Sequence, residues 1–206
     1  MGSFGAREIK KAKTKLACLD ATLELTRNCA FRDLKSKEIA SHAGISEMTF
    51  FNYFSTKEDL LVYFMRLWSL EEMARNMTEP LTGREAIDRI FSATAEKIKQ
   101  QPTIMMSLIG FFASLTSLPK MAVVEPAERW LLYPELEDLQ TRPIPGLHET
   151  LMQHLEEMDG SLDRQQLRNH LITLFYGGAL NAHMSWQDLT LIYQDGLELI
   201  FKKAAI

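Results

Sequence analysis

The chain has little with which to cross-link itself, hold a metal or cross a membrane. Only two cysteines occur in 206 residues. Cys18 and Cys29 fall on one expected helix, which sets them about 16 Å apart along its axis. That is too far for a disulfide while the helix is intact. Both read as small buried side chains, with redox sensing as the alternative. The five histidines, His42, His148, His154, His170 and His183, form no i,i+4 pair and no Cys/His ligand pattern, so no metal site is expected. Neither a phosphate-cradling glycine loop nor a nucleophile elbow is present. No catalytic residue or cofactor is therefore assigned. No apolar run reaches the roughly 18 residues a spanning helix needs. Residues 7–15 are basic rather than apolar, so no secretory leader is expected and the cytoplasm is the expected compartment. The ten glycines and seven prolines cluster between periodic segments, which favours helices with short loops. No segment alternates like a strand.

What is present is ordinary for a globular protein: 46% apolar and 24% charged residues. The net charge is −4 but unevenly placed. Residues 1–57 carry ten basic and six acidic side chains, while the remainder is acidic. The positive charge gathers at Arg7, Lys10, Lys11, Lys13 and Lys15, with Lys35, Lys37 and Lys57 further along. Local sign governs attraction to phosphate within a Debye length of about 8 Å.

Helical periodicity organises the whole chain. The first helix is expected over Arg7–Cys29, with Ala12, Leu16, Leu19 and Leu23 on its buried face. Phe31 reads as a plug. Ser36 is expected to cap a second helix ending near Ala43, Ser46 a third, and Thr56 a long fourth. The fourth carries Leu60, Phe64, Leu67 and Trp68 and runs to about Met73–Asn76. Glu79–Gly83 reads as a linker. Helices follow over Arg84–Gln100, Thr103–Ser117, Ala127–Leu139, Leu147–Met158 (stopped by Asp159-Gly160), Leu162–Trp186 and Gln187–Lys203. The second of these is apolar almost all round, so it is central to a core or lines a cavity. The fold expected is all-α. Residues 1–56 form a three-helix helix-turn-helix domain, 57–80 a connecting helix, and 81–206 a larger helical effector-binding and dimerisation domain.

The most specific stretch is Ile39–Lys57. Ala40 is small where one helix must touch the next, Gly44 tolerates a left-handed turn, and Phe50 can lock the second helix down. The segment IASHAGISEMTFFNYFSTKEDL resembles the DNA-binding segment of the tetracycline-repressor (TetR) family of bacterial transcriptional regulators. Gly44, Ile45, Ser46, Thr49, Tyr53, Phe54, Lys57, Glu58 and Leu60 match that pattern. Phe50 stands for the usual Leu and Phe51 for the usual Tyr. The second departure removes a hydroxyl that often reaches a phosphate. The close match covers about residues 12–68.

The resemblance implies that Ser46, Thr49, Tyr53 and Lys57 mostly hold phosphates. Ser36 and Lys37 at the second helix do the same. Glu47, Met48, Phe51 and Asn52 are then the specificity candidates. Met48 and Phe51 suit thymine methyls, Asn52 suits adenine or phosphate, and Glu47 is tolerated only where it accepts from cytosine. The resemblance also implies a homodimer on a palindromic operator, paired through the last two helices. There Gly177, Gly178 and Ala179 permit close approach, either between copies or within one chain. It implies an apolar small-molecule effector whose binding moves the fourth helix. Expected lining residues are Trp68, Phe91, Thr94, Met105, Met106, Ile109, Phe112, Trp130, His148, Met152 and Asn181. Ser107, Arg129 and His183 are further polar candidates, and core packing is the alternative for the apolar members. The function expected is a sequence-specific DNA-binding repressor released by that effector. The alternatives are a helical DNA binder without an effector, and a soluble carrier of apolar ligands.

Overall fold

The computed structural model describes residues 4–117, 119–158 and 163–204. Ten α-helices and two 3-10 turns, and no strand, occur among the described residues. The expected all-α class holds. The chain packs as two compact units, divided by contact rather than by sequence order. Residues 1–74 and 103–144 form the first, and 75–102 with 145–206 the second. The segment 103–144 thus groups with the N-terminal helices, while the residues on either side of it belong to the second unit.

In the first unit, α1 (Ala6–Leu25) buries Ala12, Lys15, Cys18, Leu19, Ala21 and Thr22. The buried face is rotated from the expected one, so Leu16 and Leu23 are only half-buried. The helix also ends earlier than expected. Cys29 lies beyond it, exposed, with its thiol donating to the Leu25 carbonyl at 3.3 Å, so it is not the buried side chain it reads as. Phe31 plugs the core at 3% exposure, as expected. Two short helices follow, α2 (Ser36–His42) and α3 (Glu47–Phe51).

Helix α4 (Asp59–Thr78) starts later than Thr56, whose backbone amide instead donates to the Asp59 carboxylate at 3.1 Å. Leu60 to Phe64 are all buried, so α4 enters the core on every side before it narrows to a stripe. Its last residues, from Arg75, belong to the second unit. Helix α6 (Pro102–Ser114) opens on the proline expected to precede it. A first-turn proline loses no helical hydrogen bond. Only Ile104, Met105 and Leu108 of α6 are buried; Met106, Ile109, Phe111 and Phe112 are half-buried. Helix α7 (Pro126–Leu132) stops well before Leu139, and a 3-10 turn over Glu137–Gln140 replaces the rest.

The second unit contains α5 (Gly83–Gln100), α8 (Leu147–Glu156), α9 (Arg164–Ser185) and α10 (Leu189–Ala204). The expected stop at Asp159-Gly160 and start at Leu162 lie outside the described residues. Its core is aromatic. The Phe91 ring meets Phe175 and Tyr193 edge-on, with centroids 5.6 and 4.9 Å away. The Tyr193 hydroxyl donates to the Phe175 carbonyl at 2.7 Å. Gly178 is the reason α9 and α10 approach so closely: a Cβ there would sit 2.9 Å from the Tyr193 ring. The small residue therefore serves packing within one chain, while its neighbour Gly177 faces open space.

Candidate nucleic-acid interface

The reading head is built from α1 to α3 around one glycine and two phenylalanines. Gly44 has φ of +71°, and no atom lies within 4 Å of where its Cβ would be. Glycine is thus required by the left-handed turn, not by crowding. The turn is closed by the Ile45 amide donating to the Ala40 carbonyl at 2.9 Å. Ser46 caps α3 as expected: its Oγ accepts from the Thr49 amide at 3.1 Å. The two hydroxyls also bond each other at 2.8 Å. Phe50 and Phe54 are 0% and 3% exposed, with ring centroids 5.4 Å apart. Each contributes about 2–3 kcal/mol by burial. Phe54 continues onto Tyr63 of α4 at 5.5 Å.

This anchoring turns the other face outward. Met48 is 77% and Phe51 46% exposed, although the Phe51 ring also meets Phe50 edge-on with centroids 5.4 Å apart. Ser46, Glu47 and Asn52 are exposed, and Thr49 and Tyr53 half-buried beside them. The helix itself is short, so Asn52 and Tyr53 lie in its C-terminal turn. The amides of Asn52 and Phe54 still donate to Met48 and Phe50 in helical fashion. Each of these side chains thus reaches solvent at least in part.

Two expected members are placed differently. Ser36 does not cap α2; it is the first helical residue, and the Glu38 carboxylate closes back onto the Lys35 amide at 2.8 Å. Lys37 is exposed next to it. Lys57 is turned inward. Its ammonium donates to the carbonyls of Phe31, Arg32 and Leu34 at 3.1, 2.6 and 2.9 Å, and lies 5.2 Å from the Phe31 ring centroid. All three of its protons are engaged, so it holds the chain before α2 against the start of α4 rather than a phosphate. A further tie absent from the expectations is His42 to Glu24, 2.6 Å apart, which links α2 to α1 and holds the Glu24 carboxyl below its ordinary range.

The expected effector residues fall into both units. In the first, Trp68 and Met105 are buried, Met106, Ile109 and Phe112 half-buried, and Trp130 is exposed with its ring 6.0 Å from Phe4. Arg129, a further polar candidate, donates to the carbonyls of Val124, Leu139 and Arg142. In the second, Phe91 and Thr94 are fully buried, and the Thr94 hydroxyl donates to its own helix at Ile90. Met152 is half-buried, while His148 and Asn181 are exposed. Phe91, Thr94 and Asn181 thus serve as core or surface. Among the described residues no helix is long and apolar enough to cross a membrane.

Comparison with known proteins agrees with this geometry. Residues 19–64 match the family model described as bacterial regulatory proteins, tetR family. Over those residues, which run from α1 into α4, the chain is similar to the tetR family. No curated protein sequence matches it. Solved structures do. FadR of Thermus thermophilus, a TetR-family repressor in complex with lauroyl-CoA, is 20% identical with a TM-score of 0.59, covering 91% of this chain and 93% of that one. FadR of Bacillus subtilis in complex with stearoyl-CoA is 18% identical with a TM-score of 0.61, covering 90% and 96%. A TetR regulator of Rhodococcus sp. RHA1 is 15% identical with a TM-score of 0.61, covering 93% and 97%. At such identities these likenesses establish the fold.

Proposed function

We propose that this chain is a repressor of the tetR family that reads a palindromic operator as a homodimer and is released by an apolar small molecule. The outward face of α3 carries this reading: Met48, Phe51 and Asn52 are presented by a helix pinned through Phe50 and Phe54. Met48 and Phe51 suit thymine methyls and Asn52 an adenine edge. The protein acts in the cytoplasm, where the DNA is. Residues 1–56 act as the reading domain, 57–80 as the connecting helix, and 81–206 as the effector and dimerisation domain.

For the effector, the half-buried Met106, Ile109, Phe111 and Phe112 of α6 favour an apolar chain. The acyl-CoA complexes of the two FadR proteins make an acyl thioester the first class to test. The experiment selects duplexes from a random pool and footprints the winners. It then titrates the complex with lauroyl-CoA, stearoyl-CoA and free CoA. A palindromic footprint, released by acyl-CoA but not CoA, is expected. No selected sequence would refute operator reading, and indifference to both thioesters would refute that effector class.

A further inference from the structure

We infer that the groove between α1 and the turn after α2 is a second seat for the DNA sugar–phosphate backbone, with Lys10 and Lys13 as its phosphate ligands. The inference rests on the DNA-binding reading above and assigns residues that the helix-turn-helix itself does not include. The groove is open and measures about 500 Å³. Ala6, Ile9, Lys10, Lys13, Thr14 and Ala17 form its α1 side, and Ala43 and Ile45 its other side. These α1 positions share one helical face. Ile45, on the groove's far side, directly precedes Ser46, the cap of α3, in the chain, so the groove borders the start of the outward-facing helix.

The lysines of α1 divide by partner. Lys11 lies 2.5 Å from Glu125, and Lys15 is buried 2.7 Å from Glu128, so both are neutralised by α7 and the residue before it. Lys10 and Lys13 are exposed, and among the described residues neither has an acidic partner. No acidic residue lines the groove. The basic surplus of the N-terminal region is therefore delivered to this side of α1. The Thr14 hydroxyl donates to the Lys10 carbonyl at 2.9 Å, so Lys10 and Lys13 are left as the side-chain donors among the lining residues. An apolar floor with cations on its rim matches a backbone strand, whose deoxyribose is apolar and whose phosphates are anionic.

The test measures affinity for a selected duplex and for a random-sequence duplex across a range of salt concentrations. The variants are Lys10→Ala, Lys13→Ala, Lys10→Arg/Lys13→Arg and Lys11→Ala. Each lost phosphate contact lowers the slope of log K against log salt by about 0.9, so about 1.8 per substitution on a two-fold dimer. Both alanine variants are expected to show this on both duplexes, with an unchanged melting temperature. The arginine pair should retain the slope, and Lys11→Ala should leave it near wild type. Equal slopes in wild type and the Lys10→Ala and Lys13→Ala variants overturn the seat. So does an equal loss in Lys11→Ala, which would show diffuse charge instead. Failure of the wild type to bind any duplex overturns the reading beneath it.

Discussion

Lys15 and Glu128 form an ion pair that is buried on both sides, with Nζ 2.7 Å from one carboxylate oxygen and 2.9 Å from the other. They lie 113 residues apart and join α1 to α7. The cluster is fully occupied. Lys15 also donates to the Val123 carbonyl at 2.9 Å and sits 4.5 Å from the Tyr63 ring centroid. Glu128 takes the Tyr63 hydroxyl from α4 and the Glu125 amide. Burial first, and then the Glu128 charge, hold the Tyr63 phenol far above its ordinary range.

Breaking this pair from one side leaves a charge in the core. Glu128→Ala is expected to lose about 3–5 kcal/mol of stability. The double variant Lys15→Met/Glu128→Leu removes both charges at similar volume and should recover most of that loss. Urea denaturation followed by circular dichroism reads both. A double variant as unstable as the single one would show that the charges themselves are required.

Lys57 makes the opposite kind of statement about DNA. Because its three protons are held by carbonyls, Lys57→Ala should leave the salt slope of DNA binding unchanged. It should cost roughly 2 kcal/mol of stability, since charged hydrogen bonds are lost and carbonyls are left unmet. Asn52→Ala should leave stability alone and alter preference between duplexes. Salt titrations beside melting curves separate the two roles. A slope reduced by Lys57→Ala would return this residue to the phosphates.

The difference between what was legible and what was not follows from the range of each interaction. The turn at Gly44, the cap at Ser46 and the alternation of Phe50 and Phe54 with Met48, Phe51 and Asn52 are settled within a few residues. Their pattern is written locally. Lys57 could not be placed this way, because its partners are backbone carbonyls 23 to 26 residues upstream and carry no side-chain signature. Lys15 has the composition of a solvated residue and becomes buried only when Glu128 arrives. The packing of residues 103–144 with the N-terminal helices is equally invisible to periodicity. Ser36 and Lys35 compete for one cap, and Glu38 decides it by closing on the Lys35 amide.

Alkaline pH should loosen the first unit through Cys18. Burial pushes its thiol up from 9.0 to about 11. Between those values the unfolded chain ionises and the folded chain keeps its proton. Stability is therefore full below about pH 9 and falls as pH rises toward 11. The two-unit shift corresponds to a loss of about 2–3 kcal/mol. Thermal melts from neutral to alkaline pH should show this fall, and Cys18→Ala should remove the part that begins near pH 9 while leaving the steeper loss that the buried Tyr63 phenol adds above its ordinary range. A wild-type profile no steeper than that of the variant would contradict the burial argument.

The surface for a second copy is argued from apolar side chains that the described part of this chain leaves exposed. Tyr176, Leu180 and Met184 follow one another at four-residue spacing on α9, 37%, 43% and 80% exposed. Trp186 closes the helix in a left-handed conformation at φ +57° and is 93% exposed. On α10, Leu191 and Leu199 are 58% and 69% exposed. Apolar groups so grouped favour burial against another molecule. Gly178 already holds α9 to α10, so that pair of helices can present one firm face. Leu180→Glu/Met184→Glu should yield a folded monomer by sedimentation, with an unchanged far-ultraviolet spectrum because neither side chain is in the core. Two reading heads are then no longer joined, and affinity for a palindrome should fall toward that of a single half-site. Retention of the dimer by this variant would place the interface elsewhere.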